Sequence, residues 1–555
     1  MSSSSFSRLF LLLIGLFTLT LSGGAAAQTI EFPETPNLTI TDGLLAYEAE
    51  DCDYGGTIRS IRATAPDRVE FVLCEPDGAF PQKIAFVSLG IQPLEHLVAT
   101  GGGGEALSRA PIGTGSYMLD SWEAGSEIVL TRFEDYWGDP AVEETAIFRW
   151  ASDSATRLEE LQAGSVDGID NVGADDFELI EDDRRLRLYE REGLNVLYIG
   201  MNNTIPPFDN LYVRQAIAYA INKQRIVDSY FPPGSTVANQ FTPAAIFGYT
   251  SATESFAYSP EEAQLLLEQA DIPLPLEITL SIRDVARSYL PQPIAVAEDI
   301  QEQLAEIGIN VTIDVMESGT FIDASERGEL AMFLLGWSAD YPDATNFLDV
   351  HFGRGASLAL GDPNADIIAL LDEAGRSVDS EERLALYGQV NELLRDSAPM
   401  LPIANGGSAV AFTSRIRGAH ASPLSIERLS AMSDRTDDDI VFMQNGEPSG
   451  LYCADESDGE ALRVCGQILE PLLNYDIGSA YVVPGLAMDY RVTEDAMTWE
   501  FMLREAVFHD GSTLDANDVV ATFVVQWDAA HPLHVGRDGS FSYWGYLFKA
   551  FLNAE

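Results

Sequence analysis

Hydrophobic positions recur along the chain with two periods, and the switches between them predict alternating helices and strands. Val296, Ile300, Leu304 and Ile307 share one helical face, Gly308 closes it, and Ile309, Val311, Ile313 and Val315 then alternate as a strand does. Val69, Phe71 and Leu73 alternate within residues 68–73, as do Trp499, Phe501 and Leu503 further on, so both stretches predict strands. Residues 195–201 predict another strand, and residues 212–227 a helix with Arg214 on its polar side. Ser259 before Pro260, with Glu262 three residues on to complete a capping box, predicts a helix start, and Asp515 with Asp518 predicts a second one. A helix over 158–164 gives way to a strand at 166–170, and a glycine-rich turn at 111–119 feeds a hairpin. Further helices are expected over 382–395 and 459–473, and a strand at 440–442, whereas 28–57 is poorly patterned. This succession predicts an α/β protein.

One stretch stands out chemically. Residues 336–343 read Gly-Trp-Ser-Ala-Asp-Tyr-Pro-Asp, after a continuously apolar run at 331–335 that suits a buried strand, with Pro342 ending it. A strand that stops in a loop carrying Trp337 and Asp340 offers an aromatic face, free backbone groups and an unneutralised carboxylate, a place for a small cationic molecule. The same residues also suit an aromatic plug with a turn-forming Asp-Tyr-Pro-Asp.

The chain has 555 residues, 46% of them hydrophobic, enough for two or three domains. Its formal net charge is -55, and Lys83, Lys223 and Lys549 are its lysines, so a polyanionic partner such as nucleic acid is repelled from most faces. The first residues have secretory form: Arg8, an apolar core at 9–21, then small residues, with cleavage expected after Ala27. That core is too short to span a bilayer as a mature helix, and a soluble protein, periplasmic or extracellular, is expected. In an exported chain the four cysteines favour disulfides, and their spacing comes as two local pairs, Cys52 with Cys74 and Cys453 with Cys465. Other connectivities stay open at this point. Neither a Gly-x-Ser-x-Gly elbow, a His-Glu-x-x-His helix nor a phosphate loop is present, so no enzyme, metal site or cofactor is expected. His531 and His534, with Pro532 between them, suit a surface loop, and Arg287 alone suits a surface ion pair.

The quoted motifs resemble the extracellular solute-binding proteins of peptide and nickel ABC importers, the oligopeptide- and dipeptide-binding type (family 5). The matching segments include Pro-Ile-Gly-Thr-Gly-Ser-Tyr-Met-Leu at 111–119, Asp-Tyr-Trp-Gly at 135–138, Gly-Met-Asn-Asn at 200–203 and Arg-Gln-Ala-Ile at 214–217. They continue through 258–266, 300–311, 336–347 and 382–402 to 484–520, where Thr-Trp-Glu-Phe-Met-Leu-Arg-Glu-Ala-Val-Phe-His-Asp-Gly is close to the family signature. The resemblance implies a two-lobed periplasmic-binding-protein fold, type II with an extra subdomain and a hinge, holding a short peptide as an added strand for delivery to a membrane permease. It also implies a monomer. Asp340 would take the ligand's α-ammonium, Gly336 and Ser338 would give backbone contacts, and Trp337 would form the wall. Arg287, followed by an aromatic and a proline, would take the ligand carboxylate, and Gly450, Leu451 and Tyr452 match the other lobe's contact. The same fold serves nickel chelates, haem and oligosaccharides, or a receptor feeding a sensor.

Segment order departs from the family. The part resembling 440–551 comes first in relatives, which implies a circular permutation in this chain. The expected division is a signal peptide at 1–27, a small subdomain from 28–105 and 478–555, the main part of lobe one from 106–195 and 406–477, and lobe two from 196–405. Residues 430–439, poor in anything to bury, are expected to be an exposed connector. The strands at 498–504 and 68–73 should then share one sheet.

Overall fold

The computed structural model describes residues 16–20, 29–33, 35–283, 287–354, 356–434 and 438–554. Three large sheets carry the architecture. The first runs in the order Ala487–Val492, Thr498–Leu503, Arg68–Leu73, Ile58–Ala65, Leu44–Glu48, Leu38–Thr41. Its centre joins distant parts of the chain, because Thr498–Leu503 lies antiparallel to Arg68–Leu73 with Trp499 opposite Phe71 and Phe501 opposite Val69. Phe71 meets Phe523 at 4.9 Å and Phe501 at 5.8 Å between ring centroids, edge-on in both cases. Phe523 belongs to the wholly buried helix Ala516–Trp527, whose expected start at Asp515 and Asp518 is a capping box. Asn517 on the same turn accepts from Leu45 N at 2.9 Å and donates to Gly43 O at 3.1 Å.

Residues 28–57 are more ordered than their patterning suggests. Thr29–Pro33 pairs with Leu16–Thr20, and Leu38–Thr41 forms a hairpin with Leu44–Glu48. Asp42 and Gly43 both have positive φ, the Asp-Gly two-residue turn whose twist matches that of the strands it joins. The expected cleavage site after Ala27 lies outside the described residues, as does most of the apolar core at 9–21.

A seven-stranded mixed sheet follows: Leu186–Arg191, Ser408–Thr413, Gly168–Ile169, Asp439–Gln444, Thr145–Trp150, Glu127–Arg132, Tyr117–Glu123. Behind it sits a closed ring of four buried charges. Arg191 reaches Asp170 at 2.8 Å and Glu427 at 2.7 Å, while Arg463 reaches the same two carboxylates at 2.8 and 2.9 Å. Each side chain is less than 5% exposed, with Arg191 the most accessible at 4%.

The third sheet has the order Thr236–Val237, Met400–Asn405, Asn195–Met201, Met332–Ser338, Leu276–Arg283, Ile309–Met316. The chain enters it from Arg191 to Asn195 and leaves it from Asn405 to Ser408, so the two sheets are joined by neighbouring crossings. Asn195 laces them: its Nδ2 donates to Gly406 O and its Oδ1 accepts from Gly406 N, both at 2.8 Å. Asn405 Nδ2 donates back to Asn195 O at 2.6 Å.

Several expectations are corrected. The single helix over 212–227 is two, Leu211–Ala220 and Lys223–Tyr230, because Asn222 turns its side chain to cap the second. Arg214 is buried, donating to the carbonyls of Phe208, Ser397 and Ala398 that surround the end of helix Ser380–Ser397. The helix from Gly459 stops at Ile468. Ser259 caps Glu262 N, but no return bond from the Glu262 side chain completes the box. The first part of the connector, 430–434, is docked: Met432 and Asp434 are buried, Asp434 N donates to Glu143 Oε1 at 2.7 Å, and Arg415 pairs with Asp434 at 2.5 Å, whereas Asp438 and Asp439 are exposed and 435–437 lie outside the described residues. His531 is buried too, its ring 5.3 Å from Phe32. The cysteines form the two local pairs, Cys52 with Cys74 and Cys453 with Cys465. Loops of this length constrain the unfolded chain by about 3 kcal/mol each.

Candidate functional site

The apolar run at 331–335 is part of a strand that continues through the chemistry-bearing residues. Met332–Ser338 lies antiparallel to Asn195–Met201, with Gly336 facing Leu197 and Ser338 facing Asn195. Gly336, Trp337 and Ser338 therefore stand on the strand itself, and the turn begins at Ala339. On the other side, Leu276–Arg283 pairs with this strand at Phe333, and among the described residues no strand pairs with its edge beyond that point. Leu335 to Ser338 thus form a local sheet edge. Gly336 is required where it stands, since an added Cβ would lie 2.2 Å from the Tyr289 ring.

Asp340 is held by Asn346, from the helix Thr345–Phe352. Asn346 Nδ2 donates to Asp340 Oδ2 at 3.0 Å, and Asn346 Oδ1 accepts from both Asp340 N at 2.9 Å and Trp337 Nε1 at 3.2 Å. One amide thereby fixes the carboxylate and the indole together. Burial pushes the Asp340 carboxyl above the ordinary carboxylate range, against the opposing Asn346 bond. No basic side chain forms an ion pair with Asp340 among the described residues.

A residue from the far end of the sequence comes within the electrostatic reach of this carboxylate. Tyr543, on the helix Ser542–Phe548, is pushed up to about 12, first by burial and then by the negative charge of Asp340. Its ring lies 4.5 Å from Phe86. Around them the two halves of the molecule interlock. Lys83 pairs with Asp77 at 2.6 Å and lies over the Tyr341 ring at 5.1 Å, Arg383 joins Asp343 at 2.8 Å to Gly78 O at 3.1 Å, and Gly78 N donates to Gly375 O at 2.9 Å. Asp349, buried beside Asp343, is pushed up to about 8 by burial and by that neighbouring charge.

Asp340, Trp337, Gly336 and Ser338 lie together by contiguity. Arg287 is exposed in a tight loop closed by reciprocal backbone bonds with Leu290, two residues before the Tyr289 ring that covers Gly336; residues 284–286 lie outside the described residues. Gly450, Leu451 and Tyr452 are buried in the other half, where Leu451 N donates to Ser108 O and the Tyr452 ring meets Phe541 at 6.0 Å. Leu451 and Tyr452 are packed into that core, and it is Tyr543 of this half whose hydroxyl is influenced by the charge of Asp340. Asn346 and Tyr543 were not singled out by sequence. Asn346 carried a weak signal, a polar residue six positions after Asp340 in an otherwise apolar helix start; Tyr543 carried none, being some 200 residues away in sequence.

Among the described residues no helix is long and apolar enough to cross a membrane. A family model described as bacterial extracellular solute-binding proteins, family 5 Middle, matches residues 28–358 and 481–538. The chain is 28% identical over 406 residues to a heme-binding protein A of Haemophilus influenzae, covering 72% of this chain and 74% of that one. It is 32% identical over 347 residues to a di/tripeptide-binding protein 1 of Pseudomonas aeruginosa, covering 61% and 64%. The structure of HbpA2 from Haemophilus parasuis superposes with a TM-score of 0.64 at 25% identity, covering 74% of this chain and 91% of that one. Motifs, sheets and match agree, and the chain belongs to the family 5 bacterial extracellular solute-binding proteins.

Proposed function

We propose that this protein captures short peptides by their free α-ammonium and delivers them to the permease of an ABC importer. The observation that carries the reading is Asp340, a carboxylate fixed by Asn346, without an ion-pair partner among the described residues, beside a strand edge that ends at Ser338. An extended peptide adds to such an edge through its backbone, while its ammonium finds a charge-assisted partner in a poorly hydrated cleft. Trp337 walls one side and Tyr543 the other. The paired crossings at Asn195 and Gly406 serve as the hinge, and the protein works outside the cytoplasm as a monomer after removal of residues 1–27. Catalysis has no part in this role.

Calorimetric titration with dipeptides, alongside native mass spectrometry of whatever co-purifies, tests the proposal. A free dipeptide should bind and its N-acetylated form should bind at least tenfold more weakly; equal affinities would remove Asp340 from the ammonium role. Arg287 is proposed to take the ligand carboxylate, so C-terminal amidation should weaken binding about tenfold. If amides bind as well as acids, Arg287 has no such part. A second reading, haem in the same cleft, is favoured by the relative named for heme binding; a Soret band in the purified protein would select it, and a nickel chelate or oligosaccharide would appear in the mass spectrum.

Segment order also belongs to the proposal. A circular permutation accounts for the docking of Thr498–Leu503 into the sheet of Arg68–Leu73, and for the contact of Asn553 Nδ2 with Asn37 Oδ1 at 3.1 Å. Limited proteolysis should leave residues 440–555 attached under native conditions. Their release as an independently folded fragment would overturn the permutation.

A further inference from the structure

A pocket of about 270 Å³ lies beside the end of helix Thr345–Phe352, with Phe352, Leu360 and Ile367 as its buried apolar wall, an exposed polar rim at Asp362 and Asn364, and His351 among its lining. Its rim at Asn203 lies away from the cleft. Asn203 at its rim follows one end of the strand Asn195–Met201, whereas Asp340 follows the residue that faces the other end, and a strand of this length spans roughly 20 Å.

The polar groups around the cavity are largely committed. Asn203 exchanges hydrogen bonds with the backbone of Asp362, Asn364 caps Asp366 N, and Ser397 Oγ donates to Leu393 O. His351 differs. Its Nδ1 lies 2.9 Å from Phe347 O, and a carbonyl can accept but not donate, so the ring proton sits on Nδ1. That leaves Nε2 a bare acceptor, with no hydrogen-bond partner among the described residues. Burial keeps the ring neutral, pushing it down to about 4.

We propose that this cavity is a second ligand site, taking a compact, largely apolar molecule that donates one hydrogen bond to His351 Nε2. An apolar cavity of about 150 Å³ accommodates a benzene-sized guest, so the larger space here suits a fused bicyclic one, and a single placed acceptor sets its orientation. The site rests on these residues alone and not on what the cleft binds. His351 also packs edge-on against Trp337 at 5.0 Å, which puts the guest one ring away from the cleft wall.

Indole and benzofuran have the same shape, and the first carries an N–H where the second has an oxygen. Titrated against the whole chain by ligand-observed NMR, indole should saturate one site and benzofuran should bind at least tenfold more weakly. His351→Phe should abolish that preference. Ile367→Phe and Ala356→Phe, each checked for folding by circular dichroism, should weaken indole at least tenfold by filling the space. No saturable indole binding at millimolar concentration, equal affinities for the two probes, or unchanged binding in both filled variants would overturn the proposal.

Discussion

Asp340→Ala lowers the affinity for a free dipeptide by about 30-fold or more and does not lower the thermal midpoint. The binding loss follows from removing one member of the charge pair proposed between Asp340 and the ligand's α-ammonium, a change that costs roughly 2–5 kcal/mol, with tenfold in affinity per 1.4 kcal/mol. The stability half follows from a sign. Burial raises the Asp340 carboxyl, so its ionised form is disfavoured in the folded ligand-free protein, and the relief from removing that charge above the raised value offsets the loss of the Asn346 Nδ2 bond to Oδ2. Binding and stability therefore move apart, which a mere structural role does not produce. Binding by the wild type should also weaken as pH falls through the raised Asp340 value, while the alanine variant shows no such limb. A variant that binds like the wild type, or that loses affinity together with its folded structure, would sink the assignment.

Glu427→Gln destabilises the protein by about 3 kcal/mol or more, because it leaves Arg191 and Arg463 sharing one buried carboxylate where they had two. The effect depends on pH. Desolvation drives Asp170 upward, but the charges of Arg463 and then Arg191 outweigh it and hold it at about 2; Glu427 is lowered by the same two guanidiniums against its own desolvation. Depressed carboxylates stabilise the fold above their unfolded values near 4, and that stability is lost as pH falls from about 4 toward 2. Urea unfolding at pH 7 and at pH 3 should therefore show the gap between variant and wild type narrowing at acid pH. A variant within 1 kcal/mol of the wild type at pH 7 would mean that the ring adds nothing beyond its own desolvation.

Period and caps made most of the central elements legible. Arg68–Leu73 and Asn195–Met201 fall where their alternation or apolar run puts them, and Asp515 with Asp518 caps as read, since these signals are local and tertiary contacts reinforce them. The Asp-Gly turn at residues 42 and 43 was an equally local signal, hidden because its strands are short and half-buried and alternate weakly. Arg214 and residues 430–434 mislead for another reason. A guanidinium and a run of small polar residues count as surface on composition, yet here carbonyls at a helix end and the groups of Arg415 and Glu143 satisfy them inside. At the candidate site, sequence indicated Asp340 and Trp337, but the amide that holds both and the tyrosine opposite come from separate elements, and only the fold brings them into register.

The docking of Thr498–Leu503 onto Arg68–Leu73 bears on how the molecule comes to be folded. Leu45 N bonds Asn517 across 472 residues of sequence, and the helix Ala516–Trp527 buries the face that the early strands present. A ribosome that has made the first 450 residues has produced four strands of a sheet whose central partner does not yet exist. The earliest sheet in sequence is consequently the latest to close, a topology of high contact order that slows folding and keeps an apolar strand edge open until synthesis is nearly done. Such a chain has a built-in interval in which its first sheet is incomplete and its open strand edge is exposed to wrong pairing and aggregation.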